Sequence, residues 1–229
     1  MIIRLENVSH TYTNQMSGEK VLNNINLELE KSKIYCILGP SGSGKSTLIN
    51  IIGGLLHPTQ GKVYMNSEEI TGYNEKQLAE LRLNKVGFIF QNFNLIPFLT
   101  VKDNVLLQLR LAKKNIGTYM DYYEKLLKQL DMKEKENSYI HELSGGQQQR
   151  VAIARCLIIK PQIILADEPT GNLDSKNTDK FIKLVQSVLR DTDTTFIIVT
   201  HNEKLSMYCD KAIRINDGSI SEIKNNYIH

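Results

Sequence analysis

Apolar and polar positions change their period three times along this chain. Over "IIRLENVSHTYT" (2–13) and "NINLELE" (24–30) they alternate, as in half-buried antiparallel strands. Five later runs are short, β-branched and apolar almost throughout: "KIYCILG" (33–39), "VGFIFQ" (86–91), "QIILAD" (162–167), "TTFIIVT" (194–200) and "KAIRIND" (211–217). That texture predicts strands buried on both faces of a mostly parallel sheet. Between roughly 92 and 160 the strand pattern disappears. There "VKDNVLLQLRLAKK" and "YMDYYEKLLKQLDM" set apolar residues at helical spacing. The chain reads as an α/β core interrupted by a helical lobe, with no internal repeat and no low-complexity linker.

Composition changes this picture little. The 229 residues are 41% hydrophobic and 23% charged, the balance of an ordinary globular chain able to bury a sizeable core. No stretch approaches the ~20 apolar residues of a spanning helix, and "MIIRLENVSH" lacks a signal-peptide layout. Work at a membrane would need another molecule. A net charge of +3 without a polybasic tract gives no reason to expect nucleic acid as a partner. "KEKE" (133–136) reads as a solvated helix end or loop. Cys36, Cys156 and Cys209 are widely spaced among apolar neighbours, which predicts reduced core or near-core thiols of a cytosolic protein.

The candidate chemistry begins with "GPSGSGKS" (39–46), which fits G-x-x-x-x-G-K-[ST] between an apolar strand and a helical pattern. Its glycines let backbone N–H groups turn toward phosphates at a helix start. Lys45 would reach the β- and γ-phosphates, and the Ser46 hydroxyl would hold Mg²⁺. A plain glycine-rich turn is the alternative. Asp167 ends an apolar strand, where a carboxylate can bind metal, and Glu168 follows as candidate general base. His201 closes another buried strand in the same end-of-strand position, on a rim shared with Glu168 and Gln91. A second glycine pair, in "HELSGGQQQRVAIAR" (141–155), opens a helical pattern and is itself a candidate anion site.

Together these residues resemble the ATP-binding cassette of ABC transporters over nearly the whole chain, with the motifs in the family's order. Tyr12 in "SHTYT" resembles the aromatic that stacks on adenine. "GPSGSGKST" resembles Walker A, with Gly39, Ser41, Gly42, Ser43, Gly44, Lys45, Ser46 and Thr47 around the phosphates. Gln91 is similar to the Q-loop glutamine and joins Ser46 and Asp167 in the implied metal set. "LSGGQ" (143–147) is similar to the family signature, "IILADE" to Walker B, "GNLD" (171–174) with Asp174 to the D-loop, and His201 to the switch histidine. The resemblance implies a RecA-like core with a small antiparallel β lobe and an inserted α-helical lobe. It places core and β lobe in 1–91 and 161–229, and the helical lobe in 92–160. It implies ATP and Mg²⁺, with Glu168, His201, Gln91 and Lys45 as catalytic residues. It also implies a head-to-tail pair of cassettes, a second copy or a related chain. In that pair Ser144, Gly145, Gly146 and Gln147 of one cap the nucleotide of the other. This would answer why one small chain carries two phosphate-binding elements.

Finer likeness, in "VGFIFQNFNLIPFLTVKDNV" and "ADEPTGNLDSKN", is to macrolide and antimicrobial-peptide exporters and lipoprotein-releasing systems. The cassette that regulates cell-wall hydrolases is a near relative. A separate integral membrane permease is the implied partner, with the chain peripheral at the cytoplasmic face of the membrane. A soluble non-transport ABC ATPase is the remaining alternative. Departures are Ser67, where a glycine is usual, and Ile140, where a proline is common. "FNLIPFLT" (93–100) is apolar for a loop and reads either as a docking groove for the permease or as packing of the helical lobe. Tyr119, Tyr122 and Tyr123 read as lobe packing and surface.

Overall fold

The alternation at the N-terminus builds one sheet, and the apolar runs build another. A computed structural model describes residues 1–13, 18–171, 175–189 and 192–226. The chain enters through β1 (Ile3–Tyr12), β2 (Glu19–Leu29) and β3 (Ile34–Leu38), then turns into α1 (Lys45–Ile52). There follow β4 (Gln60–Met65), β5 (Glu68–Glu69), α2 (Glu75–Lys85) and β6 (Val86–Phe90). Three helices come next: α3 (Val101–Leu111), α4 (Met120–Gln129) and α5 (Gly145–Leu157). The chain closes with β7 (Ile163–Asp167), α6 (Ser175–Leu189), β8 (Thr195–Thr200), β9 (Lys211–Asn216) and β10 (Ser219–Asn225).

The first sheet is antiparallel, in the order β2-β1-β4-β5, with Ile3 facing Leu29 on one side and Met65 on the other. The second runs β10-β9-β3-β8-β7-β6 and is parallel except where β10 returns along β9. The expected fold class, α/β with a small antiparallel sheet and a mostly parallel one, is the observed one. Alternate residues of the parallel strands serve opposite cores, as the two-residue period of a strand dictates. Cys36, Leu38, Ile164, Ala166, Phe196 and Ile198 pack toward α3, α4, α5 and α6. Tyr35, Ile37, Ile163, Leu165, Ile197 and Val199 pack toward α1, α2 and the antiparallel sheet. Burying both faces explains why these strands contain almost no polar residue.

Several elements went unpredicted. α2 buries only Leu78 and Leu81, so its sequence shows no apolar stripe; a capping box between Asn74 and Gln77 starts it instead. β5 and β10 lie at sheet edges, and β4 buries only Val63 and Met65. The "KEKE" stretch is a solvated turn after α4, with Glu134 and Lys135 exposed and Lys133 and Glu136 half-buried. Lys133 forms a 3₁₀ turn and bonds Glu124 at 2.5 Å and Glu136 at 2.9 Å, while Glu136 also accepts from the buried Tyr123 at 3.1 Å. Cys36, Cys156 and Cys209 are free and buried. Tyr123 is buried, and Tyr119 and Tyr122 pack on the same core.

Parallel register sets the ends of the central strands level. Phe90 lies beside Asp167, Asp167 beside Val199, and Leu38 beside Thr200. The residues that follow, Gln91, Glu168, His201 and Gly39, therefore leave the sheet along one rim, where ligands of open α/β sheets bind.

Candidate functional site

The loop from Gly39 to Gly44 turns β3 into α1, and two of its glycines are conformationally required. Gly42 has φ 79° and Gly44 φ 96°, in the region that side chains rarely adopt. A Cβ on Gly44 would also stand 2.6 Å from the Val21 carbonyl oxygen, whereas one on Gly42 would meet nothing within 4 Å. The loop thus packs tightly below and stays open above. Lys45, only 7% exposed, donates from Nζ to the Gly39 and Pro40 carbonyls at 2.9 and 2.8 Å. Two of its three donors are engaged in shaping the loop, which leaves a third. Gly39 and Ser43 are buried in the floor; Ser43 takes the Gly218 N–H on its carbonyl at 3.2 Å, and its hydroxyl is buried with no partner among the described residues.

Ser46 Oγ donates to Asp167 Oδ1 at 3.1 Å, which joins the first turn of α1 to the end of β7. Burial holds the Asp167 carboxyl above its ordinary value, and the Ser46 bond works against that rise. Glu168 has φ 46°, a left-handed conformation held by its N–H to Val199 O at 2.9 Å and by Gly171 N–H on its carbonyl at 3.1 Å. That backbone turns its carboxylate onto the next strand end. Oε2 accepts from Thr200 Oγ1 at 3.0 Å, and Oε1 accepts from the His201 N–H at 3.0 Å with the ring Nδ1 at 2.9 Å. The His201 side chain remains 70% exposed above it.

A cleft of about 700 Å³ lies over these groups. Tyr12 is at its rim, T-shaped against His10 at 4.6 Å and with its hydroxyl 3.3 Å from Thr47 Oγ1. Ser41, Gly42, Gly44, Lys45, Ser46, Thr47, Glu168 and His201 line it together with Tyr12. Gln91 is brought to the same rim by register and places its amide nitrogen 3.0 Å from where a Cβ on Gly171 would stand. Asp174 lies outside the described residues. The sequence did not disclose Glu19 and Val21, which line the cleft from β2, nor Thr200, which orients Glu168. A hydroxyl residue directly before His201 at a strand end was the available clue for Thr200; Glu19 and Val21 are placed only by long-range pairing.

Ser144, Gly145, Gly146 and Gln147 do not line this cleft. They start α5 on their own. Ser144 Oγ accepts from Gln147 N–H at 3.4 Å, and Gln147 Oε1 accepts from Ser144 N–H at 2.9 Å, a reciprocal cap. Gly145 and Gly146 are exposed, and a Cβ on either would meet nothing within 4 Å.

The family model for ABC transporters matches residues 22–171. This chain belongs to the ABC transporter family. It is 41% identical over 221 residues to the ABC transporter ATP-binding protein YtrE of Bacillus subtilis, covering 95% of this chain and 96% of that one. It is 38% identical over 226 residues to the lipoprotein-releasing ATP-binding protein LolD of Francisella tularensis, covering 98% of each. Among solved structures, the dimeric ABC transporter cassette MJ0796 matches with a TM-score of 0.89 at 38% identity over the full length of both chains. A dimeric post-hydrolysis state of that cassette, bound to ADP and Pi, matches with the same TM-score at 37% identity. As an ATP-binding cassette, the chain is an ATPase.

Proposed function

We propose that this cassette is the motor subunit of a membrane transporter, closing head to tail with a second cassette on ATP and driving a separate permease. The observation that carries the pairing is the start of α5. Among the described residues its two glycines are required by no φ and no close approach, and both are exposed at a helix start, where the first N–H groups lack intrahelical acceptors. A helix start so bared suits an anion brought by another molecule. The MJ0796 cassette, which this chain matches over its full length, is dimeric in its solved structures.

The cleft fits ATP. Tyr12 offers an aromatic face for the base, and the Ser41–Thr47 loop offers N–H donors and the Lys45 ammonium for the phosphates. Ser46 and Asp167 supply a hydroxyl and a carboxylate oxygen, hard donors suited to Mg²⁺, with Gln91 as third candidate. Among the described residues no cluster of three His, Cys, Asp or Glu side chains could hold a metal, which suits an ion bound largely through phosphates. When held there, Mg²⁺ would supply positive charge against the phosphates. Glu168, aimed by Thr200 and His201, takes the proton of the attacking water, and His201 steadies the γ-phosphate from the exposed side. Lys45 and the partner's Ser144–Gln147 segment counter the remaining negative charge.

Glu168→Gln keeps the shape of the site and removes the base, so it should form dimers in ATP and Mg²⁺, read by light scattering. A variant that stays monomeric at micromolar concentration would overturn self-pairing.

The loop after Gln91 divides the two readings of "FNLIPFLT". Leu95 packs on the helical core, while Phe98 is 78% exposed. Fully buried Asn104 fixes the loop between them, accepting from Ile96 N–H at 2.8 Å and donating to the Ile96, Leu99 and Thr100 carbonyls. Phe98, an exposed aromatic in the loop after Gln91, is the proposed contact to the permease, with the chain at the cytoplasmic face. Phe98→Asp should leave basal ATPase and melting temperature unchanged and abolish stimulation by the permease; loss of basal activity would favour packing. Likeness to LolD supports lipoprotein release, and the exporter-like segments support peptide or macrolide export, as the transported class.

A further inference from the structure

The helix that opens at Ser144 also reaches back into its own chain. Gln149, only 4% exposed, donates from Nε2 to the Pro169 carbonyl at 2.6 Å, in the turn directly after Glu168. Nearly two turns further along α5, Arg155 donates from Nη1 to the Asn94 carbonyl at 2.6 Å and from Nη2 to the Phe93 carbonyl at 2.7 Å. Those carbonyls follow Gln91 by two and three residues. Neither Gln149 nor Arg155 lines the cleft.

The Phe93–Asn94 segment is held in an unusual shape. Phe93 has φ 59° and Asn94 φ 47°, two consecutive non-glycine residues in the left-handed region. Such conformations persist only where the surroundings over-determine them. Asn94 N–H also folds back onto Asn92 O at 2.6 Å. The curl brings two successive carbonyls within reach of one side chain. A planar fork of donors can take both, and a lysine ammonium on its flexible stem matches that geometry poorly. Arg155 is half-buried, burial lowers its pKa, and its bond to the Phe93 carbonyl is partly shielded from water.

We propose that Gln149 and Arg155 are positioning residues that tie the Ser144 helix to the segments carrying Glu168 and Gln91. Engagement of the helix start by a second cassette is thereby felt in the helix's own cleft. This rests on the roles proposed above for Glu168 and Gln91. α5 moves as one element, so a shift at Gly145 displaces both donors together. Arg155 restrains the curl at 93–94 through its two carbonyls, so loss of the fork removes that restraint.

The test is steady-state ATPase of the full chain, with ATP affinity and thermal melting measured alongside. Gln149→Leu removes a donor with little change of volume, and Arg155→Lys keeps the charge without the fork. Each should lower kcat about tenfold while ATP affinity stays within about twofold. Asn94 is exposed, and glycine adopts its backbone angles without strain. Asn94→Gly should therefore restore kcat in the Arg155→Lys background, a rescue that loss of packing would not show. Glu168→Gln separates this proposal from the reading of the site. If Glu168→Gln retained turnover, the reading of the site would fail. Suppose instead that Glu168→Gln abolished turnover while both α5 variants kept wild-type kcat, or lost affinity in step with it. The positioning role alone would then be overturned. Failure of Asn94→Gly to rescue would overturn the part assigned to Arg155.

Discussion

Two helices of this protein begin at glycine-rich turns, and their surroundings are opposite. α1 starts inside the molecule. Gly44, its N-cap, has φ 96° with the Val21 carbonyl directly beneath, no side chain caps it, and Lys45 is buried. α5 starts in the open. Ser144 and Gln147 cap it reciprocally, and the two glycines between them have ordinary helical angles and free space around them. At α1 the chain's own packing demands glycine. At α5 nothing among the described residues does, which supports the proposed approach of a partner from outside. On the proposed pairing, the same residue type is structural at one helix start and interfacial at the other.

Substitution at each start should separate the two roles, and the largest effect belongs to α1. Gly44→Ala forces a left-handed residue against backbone, at about 3 kcal/mol from conformational strain and steric overlap. For a chain of this size that lowers Tm by roughly 8 °C, and ATP binding should fall with it. Unchanged melting and affinity would show that the loop can relax around a methyl group.

Gly145→Ala should do the reverse. Alanine is favoured over glycine in a helix by up to ~1 kcal/mol, so Tm should hold or rise slightly. ATP binding to the isolated chain should persist, because the cleft does not include this residue. ATP-dependent dimerisation and turnover should fall at least about tenfold, since the added methyl displaces the partner's γ-phosphate from the helix start. Full turnover by Gly145→Ala would remove the observation on which the pairing rests.

The contrast also explains how far the sequence could be read. The phosphate loop is legible because its parts are contiguous and sit between a recognisable strand and helix. Asp167, Glu168 and His201 are legible as strand ends, since apolar runs that stop at a charged residue mark the rim of a parallel sheet. The bond from Thr200 to Glu168 is not, because it depends on β7 and β8 running in register. Glu19 and Val21 reach the cleft through pairing of β1 with β2, which no local pattern announces. α2 escaped notice because its two buried leucines share the helix with Ala79 and Leu83, and no single apolar face stands out. The signature glycines were visible as a motif. Their freedom from contact, which gives the motif its meaning, appears only once the surrounding chain is in place.

The smallest effect concerns what each start carries in charge. Gly145 and Gly146 begin α5 with no acid in its first turn, whereas Ser46 in the first turn of α1 donates to Asp167. Burial is the main cause that raises the Asp167 carboxyl above 3.8; the Ser46 bond opposes it, the Glu168 charge adds to it, and Lys45 subtracts. A raised value in the folded state means that the native protein holds this proton more tightly than the unfolded chain. The stability so gained is fully present below 3.8 and is lost as pH rises through the raised value. At neutral pH the ligand-free protein therefore carries an ionised, desolvated carboxylate at a cost. Asp167→Asn should melt slightly higher than wild type near neutral pH without nucleotide, with the gap closing as pH falls toward 3.8. Adding ATP and Mg²⁺ should reverse the order, because the wild-type carboxylate then gains a cation that the amide binds weakly. If the ligand-free variant melted no higher at any pH, Ser46 and Lys45 would already satisfy the carboxylate. The closed start would then hold no cost for a metal ion to relieve.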